Sequence, residues 1–233
     1  NNRVEAINNE LTEKNIENLK DIEIIGNPQY EICTEAFRSI RTNILLANKL
    51  KTDNKTFLIT STNNNEGKNF TAINLALSFA NLKKKTILVE LDMRQPLLTK
   101  YLNLNNSIGM SEFLNSDCSI QNLIQKHPNN QYLDIINSGT IPENPTELLN
   151  HDQLNTLFTE LRKQYDYIII DAIPIGTVSD TLLLDNYADN TLFICRRDLT
   201  KISQIKKLNE LVNNDLLNNV SIIYNKIKKS NLS

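Results

Sequence analysis

Long apolar runs are missing from this chain of 233 residues: none approaches the roughly 18 residues that span a bilayer, and no secretory leader is expected. Cysteine is scarce and odd in number. Cys33, Cys118 and Cys195 lie far apart, which excludes both a zinc-type spacing and a disulfide framework and suits a reducing compartment. Histidine is scarcer still. His127 and His151 have no cysteine or carboxylate motif around them, so each is expected as a surface or capping group rather than a metal ligand. Charge imbalance is also lacking: the formal net charge is −2, which argues against binding nucleic acid through bulk positive charge. What remains, 40% hydrophobic and 22% charged residues, is an ordinary globular composition with ample material for a core. The chain opens on Asn1 and Asn2 rather than Met, so we expect a piece of something longer.

Residues 1–20 are polar, with Leu11, Ile16 and Leu19 as the regular apolar positions, and read as a linker or lead-in helix. Ile22 to Ile25 reads as a short strand ending in a turn, and a helix over 34–48 is expected with Thr34 as its N-cap. From Thr56 onward strand and helix alternate. The apolar runs Phe57–Ile59, Ile87–Leu91, Leu133–Ile136, Tyr167–Ile170, Leu192–Cys195 and Val220–Tyr224 are nearly continuous, as in strands buried on both faces of a parallel sheet. Helical stretches are expected near 70–84, 111–126, 146–164, 178–187 and 201–214. This is the pattern of an α/β, doubly wound, mostly parallel sheet flanked by helices, with one domain over 21–227 and a short tail over 228–233.

The chain is organised around the segment Ile59 to Phe70. An apolar strand enters it, an apolar-periodic helix leaves it, and Gly67 and Lys68 stand at the helix mouth. Free backbone N–H groups and the positive end of the helix dipole attract phosphate there, and Lys68 can reach the outer phosphates. The strict P-loop pattern is not met: Thr62 replaces its first Gly, and Asn69 stands where a Ser or Thr hydroxyl would hold Mg²⁺. Carboxylates gather at the ends of two later strands, Glu90 and Asp92 after Ile87–Val89, and Asp171 after Tyr167–Ile170. Four apolar residues ending in Asp describe a Walker B strand, whose carboxylate meets Mg²⁺ or its water.

Gly67-Lys68, then Glu90-x-Asp92-x-Arg94, then the Asp171 strand, in this order, resemble the bacterial tyrosine kinases of the polysaccharide co-polymerase type. That family sits within the deviant Walker P-loop group that includes the MinD and ParA ATPases. The stretches Glu35–Asn43, Gly139–Leu149, Asp171–Pro174, Val178–Asp180, Arg196 with Thr200, and Ile223–Asn225 carry the resemblance over nearly the whole chain. It implies ATP or ADP with Mg²⁺ as cofactor and transfer of the γ-phosphate to protein tyrosine. The implied nucleotide-binding residues are Asn63, Asn64, Asn65, Glu66, Gly67, Lys68, Asn69, Phe70, Arg196 and Asn225. The catalytic set is Lys68, Glu90, Asp92 and Asp171, with Asn69, Asp92 and Asp171 at the metal. Glu35, Arg38 and Arg41, spaced by three along one helix face, would form a subunit contact in a ring-like oligomer. Further implied partners are a transmembrane co-polymerase segment, a protein-tyrosine phosphatase and polysaccharide assembly proteins, at the cytoplasmic face of the bacterial inner membrane, with this fragment itself soluble.

Several positions depart from the family pattern. Asn65 replaces a usual Gly, Asn69 and Phe70 a usual Ser-Thr pair, and Glu90 a usual Asp; no tyrosine follows Tyr224. Two alternatives therefore stand beside the kinase: a pseudokinase scaffold that keeps the fold, and a MinD-type switch ATPase.

Overall fold

Runs of Ile, Leu, Val and Phe with no polar alternation suit strands of a sheet covered on both faces; five of the six runs are buried so, and Val220–Tyr224 is partly buried. The structure is a computed structural model and describes residues 5–7, 23–25, 27, 30–47, 56–115, 118–149, 152–175, 180–217 and 219–226. His151, Val178, Ser179, most of the lead-in and the tail over 228–233 fall outside those residues. The strands are β1 (Glu5–Ile7), β2 (Thr56–Ser61), β3 (Thr86–Glu90), β4 (Gln125–Lys126), β5 (Leu133–Ile136), β6 (Tyr167–Asp171), β7 (Asn190–Arg196) and β8 (Val220–Asn225). They form one sheet in the order β1-β8-β7-β2-β6-β3-β5-β4, parallel throughout except for β4 against β5. The doubly wound α/β architecture expected from the sequence is the one observed.

The helices are α1 (Glu31–Ala47), α2 (Lys68–Ala80), α3 (Leu98–Leu102), α4 (Met110–Asn115), α5 (Ile120–Leu123), α6 (Pro145–Leu148), α7 (Gln153–Gln164), α8 (Asp180–Asp185) and α9 (Ile202–Asn213). Helix α2 is apolar nearly all round and buried over almost its full length, as a helix pressed between a sheet and another helix must be. Its Phe79 stacks on Phe57 of β2 and Tyr167 of β6, with ring centroids 5.7 and 4.1 Å apart. Burial of such a side chain stabilises the fold by about 1.5–3 kcal/mol. One core cluster lies under α1 and α2, a second under α4 to α7 on the other face. The strand edge carrying Ser61, Glu90 and Asp171 is therefore held rigidly, with Glu90 and Asp171 directly opposite each other across β3 and β6.

Several local expectations are corrected. The helix expected over 111–126 is two short helices followed by a strand, because Asn115 and Ser119 belong to residue types that compete with helix for backbone hydrogen bonds. The stretch 146–164 is likewise two helices, and α3 was not anticipated. No strand forms at Glu23 and Ile24: the backbone N–H groups of Ile24 and Ile25 go to the Asn74 side chain, at 2.9 and 3.4 Å, instead of a neighbouring strand. Thr34 does not cap α1, which begins earlier; its hydroxyl donates to the Ile24 carbonyl at 3.2 Å. Within the lead-in, Glu5–Ile7 is a strand beside β8. His127 is buried rather than on the surface. The Asn129 N–H donates to its Nδ1 at 3.2 Å, which leaves Nε2–H to donate to Glu23 at 3.1 Å.

Candidate nucleotide site

The loop between β2 and α2 is a backbone structure held open by side chains. Gly67 lies at φ 101°, and a Cβ there would come within 2.4 Å of the Asn225 Nδ2, so the position requires glycine twice over. Asn65 lies at φ 63°. Asparagine is among the few residues with a side chain that enter this left-handed region readily, so the turn forms here without glycine. Glu66 is fully buried beneath the loop. One of its oxygens accepts the Asn63 N–H at 2.8 Å, and the other accepts the Asn63 side-chain amide at 3.1 Å and the Thr200 hydroxyl. Asn225 donates to the Glu66 carbonyl at 3.1 Å, Arg196 donates to the Asn65 carbonyl, and Gln204 donates to Asn63 Oδ1 at 3.0 Å. The ends of β7, β8 and α9 thus hold the loop with its first-turn N–H groups at the mouth of α2, the arrangement that receives phosphate.

The carboxylate side is arranged differently. Asp171 is fully buried, and burial raises its pKa well above the usual carboxylate range, with the nearby Lys68 charge opposing that shift. Its Oδ2 accepts the Asn69 side-chain NH₂ at 2.7 Å, while its Oδ1 is buried without a partner. Glu90 uses its extra methylene to reach away from Asp171. Its Oε1 accepts the N–H groups of Leu97 and Leu98, both at 2.8 Å, and its Oε2 accepts the Ser138 N–H at 3.2 Å. Glu90 is thereby the N-terminal cap of α3. Burial still pushes its pKa up to about 7, against the pull of those three backbone donors. Asp92 Oδ1 accepts the Gln95 N–H at 3.0 Å.

A cleft of about 310 Å³ opens between these parts, lined by Asn64, Asn65, Gly67, Lys68, Asn69, Phe70, Asp92 and Arg196 from the expected set. Asn63, Glu66 and Asn225 support the loop instead of lining the cleft. Gln95, Leu97 and Tyr101 also line it and were not anticipated, although the spacing of Leu97, Leu98, Tyr101 and Leu102 is that of a short amphipathic helix. A larger hollow of about 470 Å³ opens at the opposite, amino-terminal strand edge, near Lys126, Asp134 and Tyr165. Ligands of open α/β sheets bind beyond the carboxyl ends of the strands, and Asp134 is already engaged by Lys126 at 2.8 Å and Tyr165 at 2.7 Å, so the smaller cleft is the candidate.

A nucleotide's phosphates fit this cleft: the loop N–H groups, Lys68 and Arg196 converge on it. Mg²⁺ fits less well. Asp92 and Asp171 supply carboxylates, and the orphaned Asp171 Oδ1 suits a metal-bound water, but Asn69 presents its NH₂ rather than an oxygen to Asp171. On α1, Glu35 pairs with Arg38 and both are more than half exposed. Arg41 instead turns inward to α2 and donates to the Ser78 carbonyl and hydroxyl, at 2.5 and 3.0 Å.

Comparison with known proteins bears on the family and the fold. A family profile described as an AAA domain matches residues 54–228. The tyrosine-protein kinase YwqD of Bacillus subtilis is 36% identical over 177 residues, 76% of this chain and 74% of that protein. The tyrosine-protein kinase CpsD of Streptococcus pneumoniae serotype 4 is 32% identical over 226 residues, 93% of this chain and 92% of that protein. The crystal structure of the chimerical protein CapA2B2 superposes with a TM-score of 0.86 at 28% identity, covering 98% of this chain and 96% of that one. With the P-loop fold, a phosphate cradle at the mouth of α2 and kinase relatives along its length, the chain belongs to the bacterial tyrosine-protein kinases.

Proposed function

We propose that this is the cytoplasmic kinase-type domain of a membrane-anchored regulator of exopolysaccharide or capsule chain length and export, and that it binds ATP or ADP with little dependence on Mg²⁺ and transfers phosphate slowly or not at all. The observation that carries this reading is the 2.7 Å hydrogen bond from Asn69 to Asp171. It places an amide donor on the carboxylate where a metal or its water would otherwise be received. The second altered position acts in the same direction, because Glu90 spends both oxygens on backbone N–H groups and is not available to accept a proton from tyrosine. Asp92, at the rim of the cleft, is left as the group to do so.

Bound ATP–Mg²⁺ would supply the γ-phosphoryl group and neutralise charge on its oxygens. The chain's own residues position and stabilise: the loop N–H groups and Lys68 hold the phosphates, Arg196 lies at the rim, and Asp92 and Asp171 would organise the metal. Displacement of about 1 Å in such a site can lower a rate on the order of 100-fold. Self-association, with Glu35 and Arg38 on the exposed face of α1, and contact with a transmembrane co-polymerase segment belong to the same reading. Calorimetric titration of ADP and ATP with and without Mg²⁺, beside a phosphotyrosine assay on an appended tyrosine-rich tail, tests it. The expected result is nucleotide affinity that changes less than about ten-fold between the two conditions, with little phosphotyrosine formed. Brisk Mg²⁺-dependent phosphorylation by the unmodified chain would sink the impaired-kinase reading.

A further inference from the structure

One buried side chain joins the segment entering the domain to the helix that holds the phosphates. Asn74 lies in α2 one turn beyond Phe70, and its exposure is 0%. Its Nδ2 donates to the Phe70 carbonyl at 2.9 Å, and its Oδ1 accepts the N–H groups of Ile24 at 2.9 Å and Ile25 at 3.4 Å. Phe70 is the third residue of α2, so the carbonyl held by Asn74 belongs to the turn whose N–H groups face the cleft. The entering segment is anchored elsewhere too. The Ile24 carbonyl accepts the Thr34 hydroxyl at 3.2 Å and the Asn27 N–H at 3.1 Å, and Glu23 accepts from His127 at 3.1 Å.

We infer that Asn74 is a positioning residue of the phosphate site, and that docking of residues 23–25 and occupancy of the nucleotide cleft are thermodynamically coupled through it. This rests on the nucleotide reading given above. The physical reason is burial: Ile24 and Asn74 are both 0% exposed. Withdrawing residues 23–25 would take the Ile24 and Ile25 N–H groups from Asn74 Oδ1, and the cost of breaking buried hydrogen bonds favours reorientation of the amide. Reorientation removes the Nδ2 bond to the Phe70 carbonyl, leaves that carbonyl its helical N–H partner alone, and so loosens the first turn of α2. By reciprocity, phosphate bound at that turn holds Asn74 in place and tightens the grip on Ile24 and Ile25. Whatever lies upstream of Glu23 then acts on the site through two backbone N–H groups, without reaching the cleft.

The test uses the full chain and ADP. Amide hydrogen exchange at Ile24 and Ile25 should slow by about five-fold or more when ADP is added, which is the lower end of ordinary coupling. Thr34→Val removes the hydroxyl that holds the Ile24 carbonyl, changes nothing in α2 or the cleft, and is nearly isosteric. It should weaken ADP by a similar factor of about five with the circular dichroism spectrum unchanged. A purely structural role for this junction would lower the melting temperature of Thr34→Val and leave the ADP affinity of the folded chain alone. Unchanged exchange at Ile24 and Ile25 despite ADP binding would overturn the coupling and leave the nucleotide reading intact. Failure of the unmodified chain to bind ADP would overturn both.

Discussion

The two halves of the nucleotide site have responded differently to substitution. The phosphate cradle departs from the family pattern at Asn65 and keeps its form: Asn65 holds the left-handed turn at φ 63°, Gly67 lies at φ 101°, and Glu66 is buried with its oxygens hydrogen-bonded. The carboxylate half departs at Asn69 and Glu90, and there the side chains take other partners: Asn69 donates to Asp171 and Glu90 caps α3. A cradle of backbone N–H groups is supplied by any residue able to adopt the conformation. A carboxylate site depends on particular side-chain oxygens, which one methylene or one NH₂ can displace.

The largest expected effect comes from breaking the cradle at Gly67. Gly67→Ala places a Cβ 2.4 Å from Asn225 Nδ2 at a φ that alanine avoids. The left-handed region alone disfavours alanine by about 1–2 kcal/mol, and the collision adds to it, so ADP affinity should fall by about 100-fold or more. Calorimetry decides this once circular dichroism has shown a folded chain; ADP binding within a few-fold of the parent would show that the cradle is not built as described.

On the other half, Glu90 should make stability depend on pH. Its pKa is raised from 4.5 to about 7 by burial, so the folded chain retains a proton that the unfolded chain has released. That contribution is fully present below pH 4.5 and is lost as the pH rises through about 7, an effect on the order of 3 kcal/mol. Thermal melts at pH 5 and pH 8 should show a steeper loss for the parent than for Glu90→Gln. Parallel losses would mean that Glu90 is not the titrating group.

Lys68 stands between the halves. Its removal as Lys68→Met should weaken ATP by about 1.5–3 kcal/mol, the worth of a charge-assisted hydrogen bond, and adenosine hardly at all. Equal losses for the two ligands would place the lysine away from the phosphates. The smallest effect sharpens the comparison: Asn65→Gly restores the family residue where the backbone shape is already present, so ADP affinity should move by less than about three-fold. A gain of ten-fold or more would show that Asn65 had distorted the cradle after all.

Six apolar runs located six strands to within about two residues, because a strand buried on both faces leaves nothing but apolar residues to read. The loop of Gly67 and Lys68 and the strand-end acids Asp92 and Asp171 were legible for a related reason, being local motifs tied to the ends of such strands. Glu90 was legible as a carboxylate at a strand end, but not as a cap. Its partners Leu97, Leu98 and Ser138 come from two other loops, and α3 is too short to announce itself. Arg41 read as part of a charged stripe, and only the packing of α1 on α2 turned it toward Ser78.

From sequence alone, then, came the fold class, the family and the identity of the groups at the strand ends, all of which depend on hydrophobic period and on residues adjacent along the chain. Tertiary structure decided what those groups do. Whether Asn69 faces Asp171, whether Glu90 faces the cleft or α3, and whether Asn74 grips Ile24 depend on atoms 7 to 102 residues apart in sequence meeting within hydrogen-bonding distance. Such meetings are set by how helices pack on the sheet, and nothing in the local sequence of either partner encodes them.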